Sequence, residues 1–271
     1  LPRSSKSTPG AATTLPAGHP PSTPNLFVGT SGWAYPTWKP GFYPARTPAR
    51  GFLTFYASQL TAVEVNYTFR TLPTSAQLET WLSATPSTFR FSFKAPQRIT
   101  HFQRLKASPE LDATLTAFLD SIAPAHIANK LGPLLFQLPP NFAADPVRLS
   151  TFLASPIFAA QPHIRLAFEF RHPSWFADPI YDILRRHNAA LCIAEGDDLV
   201  TPDISTADFH CYRLRRSGGY TPSELSSFAQ RFLALARNSE VYAFLRHEDE
   251  PTGALNAQSL LQQAAATAGA R

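Results

Sequence analysis

Residues 165–195 read RLAFEFRHPSWFADPIYDILRRHNAALCIAE. The run opens on strict alternation. Leu166, Phe168 and Phe170 fall on one face, and Glu169 and Arg171 fall on the other. A period of two is the signature of a strand whose faces meet different surroundings. A helical pattern follows at about 177–188, and a second strand-like run covers Ala190–Glu195. Strand, helix and strand in succession make a βαβ unit, which pairs its strands in parallel.

The unit recurs in both directions. The other strand candidates are Leu26–Ser31, Ala62–Thr68, Arg90–Lys94, Pro133–Leu138, Phe209–Leu214 and Val241–Arg246. Helical patterns separate them at about 51–60, 74–84, 109–122, 146–154 and 222–236, and another follows at 254–268. Ser108-Pro109-Glu110 and Thr221-Pro222-Ser223-Glu224 each set a capping residue before a proline at the first helical position. Only Gly196–Asp208 offers no good helix. Eight such units in 271 residues imply an α/β fold, a single (β/α)₈ TIM-type barrel with a closed parallel sheet. An open doubly wound sheet is the alternative. Against it, Gly29-Thr30-Ser31-Gly32 lacks the third glycine and the following helix of a dinucleotide turn.

The barrel domain is expected over 25–271. Residues 1–24, rich in Pro, Ser, Thr and Ala, read as a disordered leader. That leader lacks the apolar stretch of a secretory signal, and no run in the chain reaches bilayer-spanning length. A cytoplasmic protein without membrane partners is the expectation. The 44% hydrophobic and 16% charged content excludes disorder over the whole length. With only two cysteines, a disulfide scaffold is excluded, and Cys192 and Cys211 are expected to be reduced core thiols. No HExxH, Walker loop, metal-spaced Cys pair or GxSxG elbow occurs, so no metal or cofactor is expected. A net charge of +5 hints weakly at an anionic partner. The densest basic cluster is only Arg213, Arg215 and Arg216. Nothing in the sequence fixes an oligomeric state.

Alternation sorts the strand side chains. In the second strand Val63, Val65 and Tyr67 should pack on helices while Glu64, Asn66 and Thr68 point into the barrel. The same rule turns Ser92 and Lys94 inward in the third strand, Gln137 in the fourth, and Glu169 and Arg171 in the fifth. In the seventh, Arg213 shares its face with Cys211. Five strands thus aim polar groups at one interior, near their C-terminal ends. Interior layers of such barrels are usually apolar, and buried charges are costly unless paired. Two readings remain: an ion network that merely fixes the barrel, or a polar ligand site at the mouth. Lys94, Arg171 and Arg213 outnumber Glu64 and Glu169, which suits a phosphate or carboxylate on the ligand.

Loop residues should rim that mouth. Trp33, Tyr35, Trp38 and Tyr43 follow the first strand, Thr100 and His101 the third, His172 and Trp175 the fifth. Such aromatics suit stacking on sugar rings or bases, or simply pack loops. His101 and His172 are candidate proton shuttles or structural histidines. The acidic run His247-Glu248-Asp249-Glu250 is either a solvated loop or part of the rim. Glu169 and Arg171 are expected to line a solvated mouth, where neutral replacement costs under about 1.5 kcal/mol.

Several runs carry a resemblance: GTSGWAYPTW (Gly29–Trp38), FYP (Phe42–Pro44), VEVNYTFRTLP (Val63–Pro73), FSFKAPQRITH (Phe91–His101), LGPLLFQLPPNF (Leu131–Phe142), FEFRHPSW (Phe168–Trp175) and YAFLRHEDEPTGALNA (Tyr242–Ala257). From about Leu26 to Leu261 the chain resembles the domain of unknown function 72 family, also called YecE-like. The resemblance implies a TIM-type barrel and supplies no established activity. It places the family's recurring polar positions at Glu64, Asn66, Lys94, Thr100, His101, Gln137, Glu169, Arg171, His172 and Trp175. One departure is plain. Many members end the eighth strand with Asn-Asn, where this chain has Arg246-His247.

The first functional expectation is an anion site, binding or hydrolysing a phosphate-bearing small molecule or nucleic-acid-like ligand. Glu64, Glu169, His101 and His172 are its catalytic candidates. Trp33, Asn66, Lys94, Thr100, Gln137, Arg171, Trp175 and Arg213 are its binding candidates. The alternatives are a glycosidase-like hydrolase using the two glutamates as a carboxylate pair and a non-catalytic binding module.

Overall fold

The structure, a computed structural model, describes residues 23–196, 199–246 and 249–269. Residues 1–22 of the expected leader, and His247 and Glu248 of the acidic run, lie outside the described residues. The strands are β1 (Leu26–Thr30), β2 (Ala62–Val65), β3 (Arg90–Lys94), β4 (Leu131–Gln137), β5 (Leu166–Glu169), β6 (Ala190–Glu195), β7 (Phe209–Leu214) and β8 (Glu240–Leu245). They pair in parallel, in the order β1-β8-β7-β6-β5-β4-β3-β2. The helices are α1 (Phe52–Gln59), α2 (Ser75–Ser83), α3 (Pro109–Ile127), α4 (Pro146–Leu153), α5 (Pro156–Ala159), α6 (Asp178–Arg186), α7 (Pro222–Ala236) and α8 (Thr252–Gly269). The result is a nearly closed TIM-type barrel. Among the described residues, no helix is long and apolar enough to cross a membrane.

Closure is completed by side chains. Between β1 and β2 there is one parallel bridge, Ser31 to Glu64. The Thr61 hydroxyl accepts from the Val28 N–H at 2.8 Å, and the Thr61 N–H donates to the Val28 carbonyl at 3.1 Å. The Tyr56 hydroxyl of α1 accepts from the Thr30 N–H at 2.7 Å and donates to the Ala62 carbonyl at 3.0 Å. Backbone groups that lack a ladder partner are thereby satisfied. Gly29 makes the close approach possible, because a Cβ there would lie 1.8 Å from the Ala62 carbonyl oxygen.

The outward faces are apolar, as alternation predicts. Val63, Phe91, Phe93, Leu134, Phe136 and Phe168 are buried in the main core. The inner face is filled by a second cluster that includes Phe27, Ala62, Leu135, Ala167, Cys211 and Phe244. Two residues further along four strands, the interior turns polar: Ala62 gives way to Glu64, Leu135 to Gln137, Ala167 to Glu169 and Cys211 to Arg213. An apolar floor therefore carries a polar layer at the C-terminal end. Cys192 and Cys211 are free, buried register partners within that floor, their sulfurs 3.6 Å apart.

Three strand and helix ends depart from the sequence expectation. Strand β2 stops at Val65, because the Thr68 hydroxyl donates to the Val65 and Lys94 carbonyls at 3.0 and 2.7 Å and closes a 3₁₀ turn. Tyr67 is consequently 45% exposed rather than packed on helices, and Thr68 does not point into the barrel as a strand residue. Strand β5 stops at Glu169, so Arg171 stands beyond the sheet. Helix α3 runs past residue 122 to Ile127, burying Ala125 and carrying Pro124 in its last turn. The described part of Gly196–Asp208 holds no helix and is pinned back to β6 by Thr201 and Thr206.

Candidate functional site

The polar layer is organised around one guanidinium. Arg213 projects from β7 and is 2% exposed. Its Nε and Nη2 donate to the two oxygens of Glu64 at 2.8 and 2.7 Å, a bidentate fork. Its Nη1 pairs with Glu169 Oε2. The other Glu169 oxygen accepts from Gln137 Nε2 at 2.8 Å, and Gln137 Oε1 accepts from Lys94 Nζ at 2.8 Å. On the opposite flank, Ser31 Oγ donates to Glu64 Oε1 at 2.7 Å and accepts from Arg215 Nη1 at 2.9 Å. The chain of contacts runs from Lys94 across the barrel to Arg215. Its members sit on β2, β3, β4, β5 and β7 or just past the ends of β1 and β7.

Electrostatics follow from this wiring. Burial pushes the Glu64 carboxyl up, but the charge and hydrogen bonds of Arg213 outweigh it and hold the group at about 2. Burial also works against the Arg213 cation, yet Glu169 and Glu64 keep it well above the ordinary range. The two other bases are compensated only in part. Lys94 is brought down to about 8 by burial and then by Arg213, with Glu64 and Glu169 opposing. Arg215 is brought down to about 10 by burial and Arg213.

A cavity of about 540 Å³ opens at this end of the barrel. Among the described residues, Lys94, Arg171, Arg213, Arg215 and Arg246 all reach its wall, with the single carboxylate of Glu169. Arg246 Nη1 donates to Ser217 Oγ at 2.7 Å and to the Arg215 carbonyl at 3.4 Å. Among the described residues, five cations against Glu169 and the deeper Glu64 leave a formal surplus of three. Asn66 also lines the cavity, and its buried Oδ1 has no hydrogen-bond partner among the described residues.

Some sequence candidates converge here and some do not. Asn66, Lys94, Gln137, Glu169, Arg171 and Arg213 share the cavity. Glu64 lies beneath it, fully buried. Arg213 clamps it as a carboxylate, and the fork orients the guanidinium in turn. Glu169 and Arg171, expected as equals in a solvated mouth, differ: Glu169 is 4% exposed and ion-paired, whereas Arg171 is exposed. Trp175 is not at the rim. It is fully buried, stacks on Phe170 at 4.5 Å, and donates to the Phe142 carbonyl at 2.7 Å. Trp38 and Tyr43 are buried as well, and half-buried Trp33 packs edge-on against Trp81 at 5.2 Å. These aromatics hold the loops and offer a ligand no stacking face in the cavity.

Neither histidine lines the cavity. His172 Nδ1 accepts from the Ser174 N–H at 3.3 Å and caps the turn Pro173–Trp175. His101 Nδ1 is bonded to the Thr100 hydroxyl at 2.9 Å, and its ring packs edge-on against Phe69 at 5.0 Å. Burial, then Lys94 and Arg171, lower its pKa and keep it neutral at neutral pH. Thr100 is buried in the turn Arg98–Phe102. Three polar contributors were missed as site residues: Ser31, Arg215 and Arg246. Arg215 was findable, since it follows Arg213 at the spacing of two that turned Arg213 inward. The hydroxyl of Tyr35 donates to the Ser31 carbonyl at 2.9 Å, and burial pushes it up to about 12. Among the described residues, no group of three His, Cys, Asp or Glu side chains gathers as a metal site.

The family model described as "Protein of unknown function DUF72" matches residues 27–270. The chain is similar to the UPF0759 protein YunF of Bacillus subtilis, 31% identical over 158 residues, or 58% of this chain and 54% of the relative. It is similar to the UPF0759 protein YecE of Escherichia coli K12, 30% identical over 153 residues, or 56% and 50%. Each alignment spans about half the length of the curated relative it matches. A crystal structure of a DUF72 family protein from Thermotoga maritima superposes with TM-score 0.75 at 25% identity, covering 88% of this chain and 98% of that one. D-psicose 3-epimerase from Clostridium cellulolyticum superposes with TM-score 0.51 at 9% identity, covering 90% and 97%, a likeness of fold alone.

Proposed function

The chain belongs to the DUF72 family, and on that premise we propose that its barrel mouth binds a small molecule bearing a phosphate or a comparable anion. One observation carries the reading: among the described residues, five cations line one cavity, while both nearby carboxylates are already engaged by Arg213. A cavity of about 540 Å³ suits a small ligand. Arg171 and Arg215 supply guanidinium donors for a phosphate, and Asn66 offers an acceptor to a ligand hydroxyl. The glycosidase alternative fares worse. It needs one carboxyl group kept protonated and another free to act, whereas Glu64 and Glu169 clamp the same guanidinium. Hydrolysis of a phosphoester at this site would rest on Glu169, the one carboxylate among the described residues that reaches the cavity.

Isothermal titration calorimetry with inorganic phosphate and pyrophosphate at low ionic strength tests the reading. Saturable binding that weakens at least tenfold in both Arg171→Ala and Arg215→Ala supports it. Absence of binding, or binding indifferent to both changes, overturns it.

A further inference from the structure

Lys94 is placed unlike any other described lysine. It stands at the C-terminal end of β3, on the wall of the cavity. Two glutamates lie in the same layer, yet its hydrogen bond goes to a neutral amide, Gln137 Oε1. The glutamates are taken by Arg213. Its ammonium sits 4.1 Å from the centre of the Phe69 ring, an apolar wall. The charged groups acting on it are Arg213 and Arg215 from β7 and its loop, and Glu64 and Glu169 from β2 and β5. His101 lies on Phe69 as well and is kept neutral. An amine that is desolvated, beside cations and without a carboxylate of its own is the environment in which lysine becomes a nucleophile.

We propose that Lys94 forms a reversible imine with the carbonyl carbon of an aldehyde or ketone whose anionic group is held by the arginines of the mouth. The proposal rests on the anion-binding reading and adds a carbonyl to the ligand. The neutral amine adds to the carbonyl carbon, forming a C–N bond while the C=O π bond opens to a hydroxyl. The carbinolamine then loses that hydroxyl with a proton from nitrogen, so one water leaves and a C=N bond remains. No oxidant or reductant takes part. The depressed pKa of about 8 leaves a substantial neutral fraction near neutral pH, where an ordinary lysine at about 10.4 has very little. Lys130 is the internal contrast. Its ammonium is wrapped by the Leu82 and Thr85 carbonyls and the Thr85 hydroxyl, at 2.6 to 3.0 Å, away from the mouth.

The test uses the intact protein and pyridoxal 5′-phosphate, an aldehyde carrying a phosphate. Adducts are fixed with borohydride and mapped by peptide mass spectrometry, with phosphate-free pyridoxal run in parallel. At pH 8 the expected result is labelling of Lys94 at least tenfold faster than Lys39 or Lys106, with a pH midpoint near 8. Inorganic phosphate should protect Lys94, removal of the probe's phosphate should abolish the preference, and Lys94→Arg should leave only slow background labelling. Labelling of Lys94 no faster than Lys39 and Lys106 overturns the proposal. If the probe competes with phosphate in calorimetry but leaves no adduct on Lys94, the anion site stands and the imine falls. If neither phosphate nor the probe binds, both fall.

Discussion

Replacing Arg213 with methionine tests whether one guanidinium holds the polar layer together. The side chain keeps a similar length and loses its charge, so Glu64 and Glu169 are left buried side by side. Removing one partner of a buried ion pair costs about 3–5 kcal/mol. The wild-type shift gives an independent figure. Glu64 moves from 4.5 to about 2, which at 1.36 kcal/mol per unit is about 3 kcal/mol of stability at pH 7. Its pH dependence has a definite sign. The folded pKa lies below the unfolded one, so the contribution is present above about 4.5 and lost as pH falls toward about 2. Between pH 5 and 7 the parent should therefore be nearly flat on this account. In Arg213→Met the sign reverses. Burial of Glu64 without that cation raises its folded pKa above the unfolded one, so protonation favours the fold. The variant should gain up to about 1.4 kcal/mol per pH unit as Glu64 titrates with pH falling from 7 to 5. Urea denaturation at pH 5, 6 and 7 reads both halves. A loss under about 1.5 kcal/mol at pH 7, or a variant as flat in pH as the parent, would refute the central role given to Arg213.

The other expectations are simpler. Arg171→Gln should leave stability within about 0.5 kcal/mol while weakening phosphate binding, whereas Glu169→Gln should cost about 2 kcal/mol or more because it unpairs part of a buried guanidinium; urea midpoints of the two variants separate the cases. Tyr56→Phe removes the hydroxyl at the β1–β2 seam and leaves the Thr30 N–H and Ala62 carbonyl without it, costing about 2–4 kcal/mol and speeding hydrogen exchange at Thr30. Cys192 and Cys211 should resist a thiol reagent until the chain unfolds, since both are buried and burial raises the Cys192 thiol well above its usual range.

The parts of the fold legible in sequence are those governed by a repeating rule. Phe168 and Glu169 took opposite faces because a strand alternates, and the same rule put Glu64, Lys94, Gln137 and Arg213 into one interior. What alternation does not report is where a strand ends. Thr68 takes the Val65 carbonyl with its own hydroxyl, a local bond that competes with the ladder, and Tyr67 turns out to solvent as a result. Nor does position in a loop fix direction. Trp175 follows β5 as a rim residue would, yet Phe142 and Phe170 offer it a carbonyl and a stacking face, and burying an indole outweighs exposing it. The seam was invisible for another reason. Tyr56 lies in α1, and nothing in a helical pattern reveals that its hydroxyl completes a sheet.

The interior charges form an internal ion network, and a cavity with a cationic lining opens above it. Glu64, Arg213 and Glu169 satisfy one another almost completely, which accounts for charges surviving below the mouth at bearable cost. That satisfaction is the cause of the layer above. Because Arg213 takes both carboxylates, Lys94 must settle for the amide of Gln137 and Arg215 for the hydroxyl of Ser31. Burial, and then the charge of Arg213, draws both bases down, to about 8 and about 10, against the partial opposition of Glu64 and Glu169. A protein selected for stability alone would gain by placing an acid beside them or by replacing them with apolar residues. Keeping two partly desolvated cations at the mouth costs the fold something, and the anion proposed for the cavity would relieve it. The self-satisfied network is thus the floor of a cationic cavity.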